Sequence, residues 1–343
     1  MNNTTENVIA LCQGQGTGPW EFSLLFYVQS VAGIPLITLG LIGNAISFLV
    51  LCKDTPKSTT SYTLQALAIA DSLYLLCHFF FLSLFGIVMY AGVIPHYKDI
   101  YAHLMLAVKP LMYISQQASI WLIVLVTADR YMMVCRPWKA GSRRINGLGK
   151  AKRNVLIVLI ATVLYNVPRF FEMELGVCFD IHLEHLVPLA KARDWASSEV
   201  YQYLYVMILN ALVMFFIPMA ILTFVNSSLI IAIRNRNRRH VSLTGRIQQN
   251  NGMTSMLVGV VLVFVCCQTC DFILQILYYV DQPSVMTSQW FPVYYQLSAL
   301  LLVINASTNF IIYCLCSRKF RQLLLDNTIF GACRNGSSNE VDT

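Results

Sequence analysis

The sequence predicts an all-α protein, a seven-transmembrane helix bundle with an amphipathic eighth helix. Of its 343 residues 57% are hydrophobic and only 12% are charged, whereas a soluble domain averages about 25% charged residues. Seven apolar stretches are long enough to cross about 30 Å of hydrocarbon, which takes roughly 20 helical residues. They run approximately over 24–52, 61–90, 104–135, 152–172, 200–233, 253–280 and 290–316. An odd number of spans places the two termini on opposite sides of the membrane.

The basic residues are divided unequally between the two sides of this arrangement. Of the 24 Lys and Arg residues, 19 lie on the side of the carboxyl terminus. Only Lys98, Lys109, Arg169, Lys191 and Arg193 lie on the other side. Cytoplasmic loops collect Lys and Arg, so we expect a multi-pass protein of the plasma membrane with its amino terminus outside. This placement explains the net charge of +7 without a nucleic-acid partner.

The ends of the chain differ from the predicted transmembrane domain, 24–316. Segment 1–23 is expected to be extracellular, and it lacks the basic and apolar regions of a cleaved signal peptide. Asn2 and Asn3 begin overlapping sequons for N-glycosylation. Segment 317–330 alternates basic and apolar positions at helical spacing, which predicts an amphipathic helix on the inner lipid surface. Residues 331–343 are expected to form a cytoplasmic tail.

Asp71 is the clearest ionisable residue inside an apolar span. Such a residue costs at least about 2.5–3.5 kcal/mol on insertion and therefore invites a functional interpretation. Ser119, Asn305 and Asn309 reach a similar depth if the helices pack together. A carboxylate ringed by amide and hydroxyl oxygens suits a small cation such as sodium. A hydrogen-bonded network between helices, without an ion, explains the same residues equally well.

The tripeptide Asp129-Arg130-Tyr131 lies at the cytoplasmic end of the third span. An acid and a guanidinium at the lipid boundary can pair with each other, or the arginine can be released toward an intracellular partner. The tripeptide is therefore a candidate two-state switch.

Several motifs fall in the order found in rhodopsin-like (class A) G-protein-coupled receptors, which the chain resembles over about 24–325. They are Gly43-Asn44, Leu67-Ala68-Ile69-Ala70-Asp71, Asp129-Arg130-Tyr131, Phe216-Ile217-Pro218 and Asn309-Phe310-Ile311-Ile312-Tyr313. Within that class, the segments 135–140 and 165–172 are similar to those of FMRFamide-type neuropeptide receptors.

The resemblance implies a cell-surface receptor, not an enzyme, that transmits ligand binding to a heterotrimeric G protein, with arrestin as a further partner. It implies a sodium pocket of Asp71, Ser119, Asn305 and Asn309, and it requires no other cofactor. It also implies that Arg130 is the G-protein switch and that Tyr313 is its partner in the active state.

Some residues depart from the family pattern. Gln268 and Cys270 replace the usual tryptophan and proline of the sixth span, and Phe310 replaces the proline of the seventh. Asn226 stands where the fifth span usually carries a tyrosine. These replacements leave open how the helices bend and move.

The extracellular disulfide of the family also lacks its usual third-helix cysteine, because Met105 lies at that place. We hypothesise that Cys178 of the outer loop pairs instead with Cys12 of the amino-terminal segment.

The outer halves of the spans offer a set of polar and aromatic residues for a ligand. Met112 occupies the position at which amine receptors carry an aspartate, so a biogenic amine is disfavoured. The candidate ligand-binding residues are Lys109, Met112, Tyr113, Gln116, Gln117, Glu172, Gln268, Asp271, Gln275, Tyr278, Tyr295 and Gln296. Acids among aromatic rings and amides suit an extracellular peptide with Arg and Phe side chains. We expect Asp271 or Glu172 to pair with the arginine of the ligand, although each tyrosine is also explained by packing or interfacial anchoring.

Two other kinds of function fit less well. A transporter or channel predicts an internal repeat, broken helices or a pore-lining ring of charge, and the sequence has none of these. A decoy receptor, or an orphan receptor for a non-peptide ligand, is a closer alternative because the unusual residues lie in the activation machinery. Intact Arg130 and Tyr313 favour a signalling receptor.

Overall fold

Long helices and one β-hairpin make up the described part of the chain in this computed structural model. It describes residues 19–54, 58–91, 97–135, 147–180, 185–244, 252–280, 284–285 and 288–327. The helices are α1 Pro19–Cys52, α2 Thr59–Ala91, α3 Tyr97–Cys135 and α4 Gly147–Asn166. Then follow α5 Glu199–Asn235, which continues to Thr244, α6 Gly252–Val280, α7 Trp290–Ser307 with Asn309–Cys316, and α8 Arg318–Asn327. The strands are β1 Met173–Asp180 and β2 His185–Ala192.

The helices form a closed bundle. Each of α1 to α3 packs against the next helix in the chain, as do α5 and α6, and α7 returns to pack against α1. Helices α4 and α5 are joined by the Tyr205 hydroxyl, which donates to the Tyr165 carbonyl at 2.6 Å. Helix α3 is central, because it also packs against α5, and α2 contacts α4 and α7 in addition to its sequence neighbours. The seven-helix bundle predicted from the sequence is confirmed.

Apolar length explains why most of these helices suit a membrane. Five of them are long and apolar enough to span it, and the two parts of α7 make a sixth if they are taken as one bent span. Helix α4 is less apolar because Lys150, Lys152 and Arg153 occupy its first two turns. It packs against α2 and α3, and a 3-10 turn at Val167–Phe170 extends it.

The perimeter and the centre of the bundle have opposite character. Large apolar side chains such as Leu39, Leu164 and Phe224 are about two-thirds exposed on the outside. In contrast, the buried interior includes Asn44 and Asp71. Apolar groups outside and polar groups inside are what a helix bundle surrounded by lipid requires.

Helix α1 approaches α7 closely because two glycines lie at the contact. A Cβ atom added at Gly40 would lie 2.8 Å from the Ser307 Cβ, and one added at Gly43 would lie 2.8 Å from the Phe310 Cβ. These distances are too short for two carbon atoms, so only glycine permits this packing.

The bend of α7 forms without a proline. Its two parts meet at 45°, and Thr308 both ends the first and begins the second, with φ −87° and ψ −9°. The Thr308 hydroxyl donates to the Asn305 carbonyl at 3.4 Å. Helix α6, whose family proline is replaced by Cys270, is a single helix from Gly252 to Val280.

Several boundaries differ from those expected. Helix α1 begins with Pro19, before the expected residue 24, since proline fits the first turn of a helix and the apolar run starts later. Helix α8 ends at Asn327, and residues 328–343 lie outside the described chain. The outer loop between α4 and α5 contains an unforeseen antiparallel hairpin, in which Gly176 pairs with Leu189 and which lies against α3.

Candidate functional site

Asp71 accepts hydrogen bonds from two other helices at the centre of the bundle. The Ser119 hydroxyl of α3 donates to its Oδ1 at 2.6 Å, and the Asn309 amide of α7 donates to its Oδ2 at 2.6 Å. Nearby, the Asn44 amide of α1 donates to the Ala306 carbonyl of α7 at 3.1 Å. All three polar side chains, together with Asp71, are buried. Asp71 therefore links α2 to α3 and α7, and Asn44 links α1 to α7.

The donor set around Asp71 fits a small hard cation. Each carboxylate oxygen holds one hydrogen bond and retains a lone pair, and the Ser119 hydroxyl adds a further oxygen. Of the four residues expected to form a sodium pocket, the structure joins Asp71, Ser119 and Asn309. Asn305 is half-buried, and within the described chain its side chain makes no hydrogen bond to Asp71.

Arg130 is half-buried near the carboxyl end of α3. Its Nε has no hydrogen-bond partner, and Asp129 precedes it in the same helix. The Tyr131 ring faces Phe224 of α5, with centroids 6.5 Å apart. Tyr313 of α7 is buried edge-to-face against Phe320 of α8, with centroids 5.5 Å apart. Tyr131 thus contacts α5, whereas Tyr313 contacts α8.

A buried carboxylate between α1 and α2 was not foreseen from the sequence. Asp54, just after α1, is 2% exposed and pairs with Lys319 of α8, with Nζ 2.8 Å from Oδ1. Ser61 donates to its Oδ2, and Ser58 caps the amino terminus of α2 through the Ser61 N–H at 3.1 Å. Burial alone would raise the pKa of Asp54, but the hydrogen bonds from Lys319 and Ser61 outweigh it and lower that pKa.

Asp271 is the acid in the outer half of α6. Gln275 donates to its Oδ2 at 2.8 Å, and the Ser298 hydroxyl of α7 donates to its Oδ1 at 3.4 Å. Asn210 of α5 donates in turn to Gln275 at 2.9 Å. Within the described chain every contact to this carboxylate comes from a neutral group. Among the residues that the structure describes, Asp271 therefore has hydrogen-bond donors but no countercharge.

Asp271 also borders a cleft between α5 and α6. The cleft is narrow, with an enclosed volume of about 10 Å³. Its lining is Asn210, Ala211, Met214, Phe215, Gln268, Asp271, Phe272 and Gln275. Phe215 and Phe272 stack with their ring centroids 4.2 Å apart. Three of the predicted ligand-binding residues, Gln268, Asp271 and Gln275, thus meet at one apolar and amide-rich wall.

Glu172, the other acid expected to pair with a ligand arginine, has a partner within the protein. Arg169 Nη1 lies 3.1 Å from its Oε1, and the Tyr201 hydroxyl of α5 donates to the same oxygen at 2.6 Å. The guanidinium of Arg169 also lies 4.5 Å from the ring centroid of Tyr113 and 5.2 Å from that of Tyr205. Arg169 therefore contacts the kind of acid and aromatic rings that we expected to bind the arginine of the ligand.

A second cavity lies beside this ion pair at the outer end of α3. The space of about 240 Å³ between its walls includes open solvent at its mouth, and among the described residues no enclosed space of the size of a water molecule remains. Its lining is Met105, Leu106, Lys109, Pro110, Tyr113, Arg169, Phe170, Glu172 and Met173. Lys109, Tyr113 and Glu172 of the predicted ligand site are brought together here.

Two other predicted ligand residues bond to neighbouring helices. Gln117 is buried and accepts from Asn166 of α4. Gln296 accepts from Gln29 of α1, whose Nε2 lies 2.9 Å from the Gln296 Oε1, and Gln29 also contacts His78 of α2 at 2.9 Å. Both side chains therefore serve helix packing in this structure.

The rest of the predicted ligand set is aromatic, apolar or half-buried. Tyr278 and Tyr295 both face the Phe291 ring, with centroids 6.2 and 6.3 Å away. Met112 packs against the apolar cluster around Tyr74 of α2, and Gln116 is half-buried on α3.

Several predicted features lie outside the described residues. These are Asn2, Asn3, Cys12 and the side chain of Cys178, so the sequons and the proposed disulfide stay predictions. The backbone of Cys178 lies in β1 opposite Val187. Met105, at the usual cysteine position, packs against the apolar cluster of Leu25, Phe81 and Leu82.

Some of the contacts that the sequence analysis missed are indicated by a local spacing of residues, and others are not. Arg169 and Glu172 are three residues apart, and that spacing brings side chains together on a helical turn. Asp54 is followed by Ser58 and Ser61, whose spacing predicts a helix cap. Its partner Lys319 is 265 residues away, and no local pattern indicates that pair.

Comparison with known proteins defines the class. The family profile described as 7 transmembrane receptor (rhodopsin family) matches residues 43–313. The chain belongs to this family of membrane receptors. It is 30% identical to the FMRFamide receptor of Drosophila melanogaster over 89% of this chain and 54% of that one. It is 26% identical to an FMRFamide peptide receptor of Caenorhabditis elegans, over 89% and 70% respectively.

A third relative is also named for a peptide. The Sex peptide receptor of Drosophila melanogaster is 24% identical over 89% of this chain and 72% of that one. The chain spans little more than half the length of the Drosophila FMRFamide receptor.

Proposed function

We propose that this receptor is activated at the cell surface by an extracellular amidated neuropeptide and transmits the signal to a heterotrimeric G protein. The names of its relatives, which include FMRFamide receptors, support a peptide ligand. Basic side chains at the start of α4 and on α8, among them Lys150 and Lys319, support a cytoplasmic position for those ends and an extracellular amino terminus.

The uncompensated carboxylate of Asp271 carries the proposal for the ligand. A carboxylate inside a membrane span without a countercharge is expensive, and among described residues only neutral groups contact Asp271. A cationic side chain of the peptide would supply the missing charge and form a charge-assisted hydrogen bond. The stacked Phe215 and Phe272 beside it would receive a neighbouring aromatic side chain.

Glu172 is less suited to this role. It already has a cation in Arg169, 3.1 Å away, and a hydrogen bond from Tyr201. A ligand arginine at Glu172 would have to displace a buried guanidinium that is stacked on two tyrosine rings. We therefore assign the ligand arginine to Asp271 and a positioning role to Glu172.

The inner face would respond through a shift between two packings of the helices. Peptide binding between α5, α6 and α7 would favour the packing in which Arg130 is free to contact the G protein. The unpartnered Nε of Arg130 and the burial of Tyr313 against α8 support a resting state in the described structure. Arrestin would use the same inner surface, and lipid would surround the bundle.

The test pairs a receptor variant with a ligand variant. Cells expressing the receptor would be exposed to Phe-Met-Arg-Phe-amide and to the same peptide with neutral citrulline in place of arginine. The wild-type receptor should prefer the arginine peptide by about 10- to 100-fold, as expected for a hydrogen bond to a charged group. Asp271→Asn should remove that preference while its surface expression stays normal.

The matched control is Glu172→Gln. It should retain the preference for arginine, although fewer receptors should reach the surface because Arg169 loses its partner. A preference that persists in Asp271→Asn and vanishes in Glu172→Gln would reverse the assignment. Peptide binding without a response from any G-protein sensor would indicate a decoy receptor instead.

A further inference from the structure

We propose that the cavity at the outer end of α3 binds a carboxylate of the peptide ligand, held by Lys109 and Arg169. This inference rests on the proposed function, because it concerns the same ligand. It adds a second charged group to that ligand, opposite in sign to the one that Asp271 receives.

Charge in this cavity is positive. Two cations, Lys109 and Arg169, and one anion, Glu172, line it. Glu172 and Arg169 neutralise each other across 3.1 Å. Lys109 is half-buried, and within the described chain it has no ion pair or hydrogen bond. Among the described lining residues the net charge is therefore +1, and Lys109 is the one without a partner among them.

Arg169 retains an unused donor beside Lys109. Its Nη1 contacts Glu172, whereas its Nε makes no hydrogen bond, and the residue is only 7% exposed. A buried N–H without an acceptor is unfavourable. A carboxylate has two oxygens, so one oxygen can accept from a guanidinium N–H while the other pairs with the lysine ammonium.

The arrangement gives the bound peptide a direction. Lys109 and Tyr113 are four residues apart on α3, so both face the same side of the helix. Asp271 lies on α6 and contacts α7 through Ser298. The acidic group of the peptide would therefore lie toward α3 and α4, and its arginine toward α6 and α7.

The carboxylate has two sources, an acidic side chain or a free carboxyl terminus. We would compare four peptides: Phe-Met-Arg-Phe-amide, the same sequence with a free carboxyl terminus, and amidated forms extended at the amino terminus by Asp or by Asn. Potency would be measured on the wild-type receptor and on Lys109→Gln. The two extended peptides have nearly the same shape and differ in charge, so their ratio isolates the carboxylate.

On the wild-type receptor the Asp-extended peptide should be about tenfold more potent than the Asn-extended one, and in Lys109→Gln the ratio should fall to about one. Lys109→Glu should reverse the preference. If the carboxyl terminus is the source, the free-acid peptide should instead exceed its amide on the wild type, and that gain should vanish in Lys109→Gln. This result would support the carboxylate site but contradict the amidated ligand of the proposed function.

Lys191→Gln is the matched control, because Lys191 lies on the outer hairpin, is 55% exposed and pairs with Glu174 at 3.0 Å. It removes the same charge away from the cavity and should leave every ratio unchanged. Ratios near one on the wild type, or an equal loss in Lys191→Gln, would overturn the carboxylate site alone. A wild-type receptor that responds to none of the peptides would overturn the proposed function with it.

Discussion

Lys319, in the first turn of α8, pairs with Asp54, which follows the end of α1. The ammonium lies 2.8 Å from one carboxylate oxygen and 3.0 Å from the other. Ser61 of α2 donates to the same carboxylate. One acid in a short inner connection thus fixes the position of α8 relative to α1 and α2.

This pair should make stability depend on pH. The pKa of Asp54 is lowered on folding, so its stabilisation is fully present above the ordinary aspartate pKa of about 3.9. It is lost as the pH falls through the lower folded pKa. At pH 7 Asp54→Asn should lose about 1 kcal/mol, which shifts the unfolding midpoint by about 2–4 °C.

Thermal unfolding of detergent-purified receptor, followed by tryptophan fluorescence, would measure this difference. It should shrink toward zero as the buffer is acidified below pH 4. Asp326→Asn removes an exposed aspartate of α8 and should leave the midpoint unchanged. A difference between Asp54→Asn and wild type that is constant from pH 7 to pH 3 would disprove the electrostatic explanation.

The Asp71 cluster should make peptide binding sensitive to sodium. We propose that Asp71, Ser119 and Asn309 hold the ion with help from Asn305, and that a bound ion favours the resting packing. Replacing choline chloride by sodium chloride at equal ionic strength should weaken agonist binding to the wild type. Asp71→Asn removes the charge and should bind the agonist equally in both salts.

Radioligand competition in membranes would measure this effect, and Asn305→Ala would show whether the half-buried amide takes part. Equal sodium sensitivity in wild type and Asp71→Asn would favour an ion-free hydrogen-bonded network.

Gly40 should be intolerant of even one added methyl group. The new Cβ would lie 2.8 Å from the Ser307 Cβ and 2.8 Å from the Leu75 Cδ1. Overpacking of this kind typically costs about 1–3 kcal/mol. Gly40→Ala should therefore lower the unfolding midpoint and the amount of receptor at the surface.

Gly149→Ala is the control, because nothing lies within 4 Å of a Cβ at that helical position. Alanine is the better helix former, so this change should be neutral or slightly stabilising. Adding Ser307→Gly to Gly40→Ala removes the contacted side chain and should restore part of the loss. No restoration would mean that Gly40 is required for a reason other than the contact with α7.

The sequence predicted the bundle because lipid imposes a simple requirement. Backbone groups in hydrocarbon must bond within a helix, so apolar length alone located the spans. The amino-terminal turn at Pro19 was missed because it precedes the apolar run. The hairpin was missed because its strands are short and lie in a loop of mixed charge.

For the sites, the sequence predicted the buried acids but not the residues that contact them. Asp71 and Asp271 were identified because an acid within an apolar span is costly wherever the helix faces. The partners of a predicted site residue depend on helix rotation and packing. Gln117 and Lys109 lie two turns apart on α3, yet Gln117 bonds to Asn166 of α4 whereas Lys109 lines the cavity. Glu172 pairs with Arg169, a contact that the position of an acid within an apolar span does not reveal.

The 45° bend of α7 at Thr308 differs from a proline kink in whether the helix can straighten again. A pyrrolidine ring makes a kink permanent because it removes an amide N–H from the helix. Here the amide of Thr308 still donates to the Ile304 carbonyl at 3.0 Å, and that of Ile312 to the Thr308 carbonyl at 3.0 Å. Straightening α7 would therefore require only rotation of backbone dihedral angles, because Thr308 has the backbone N–H that a proline lacks. The bend is for this reason reversible.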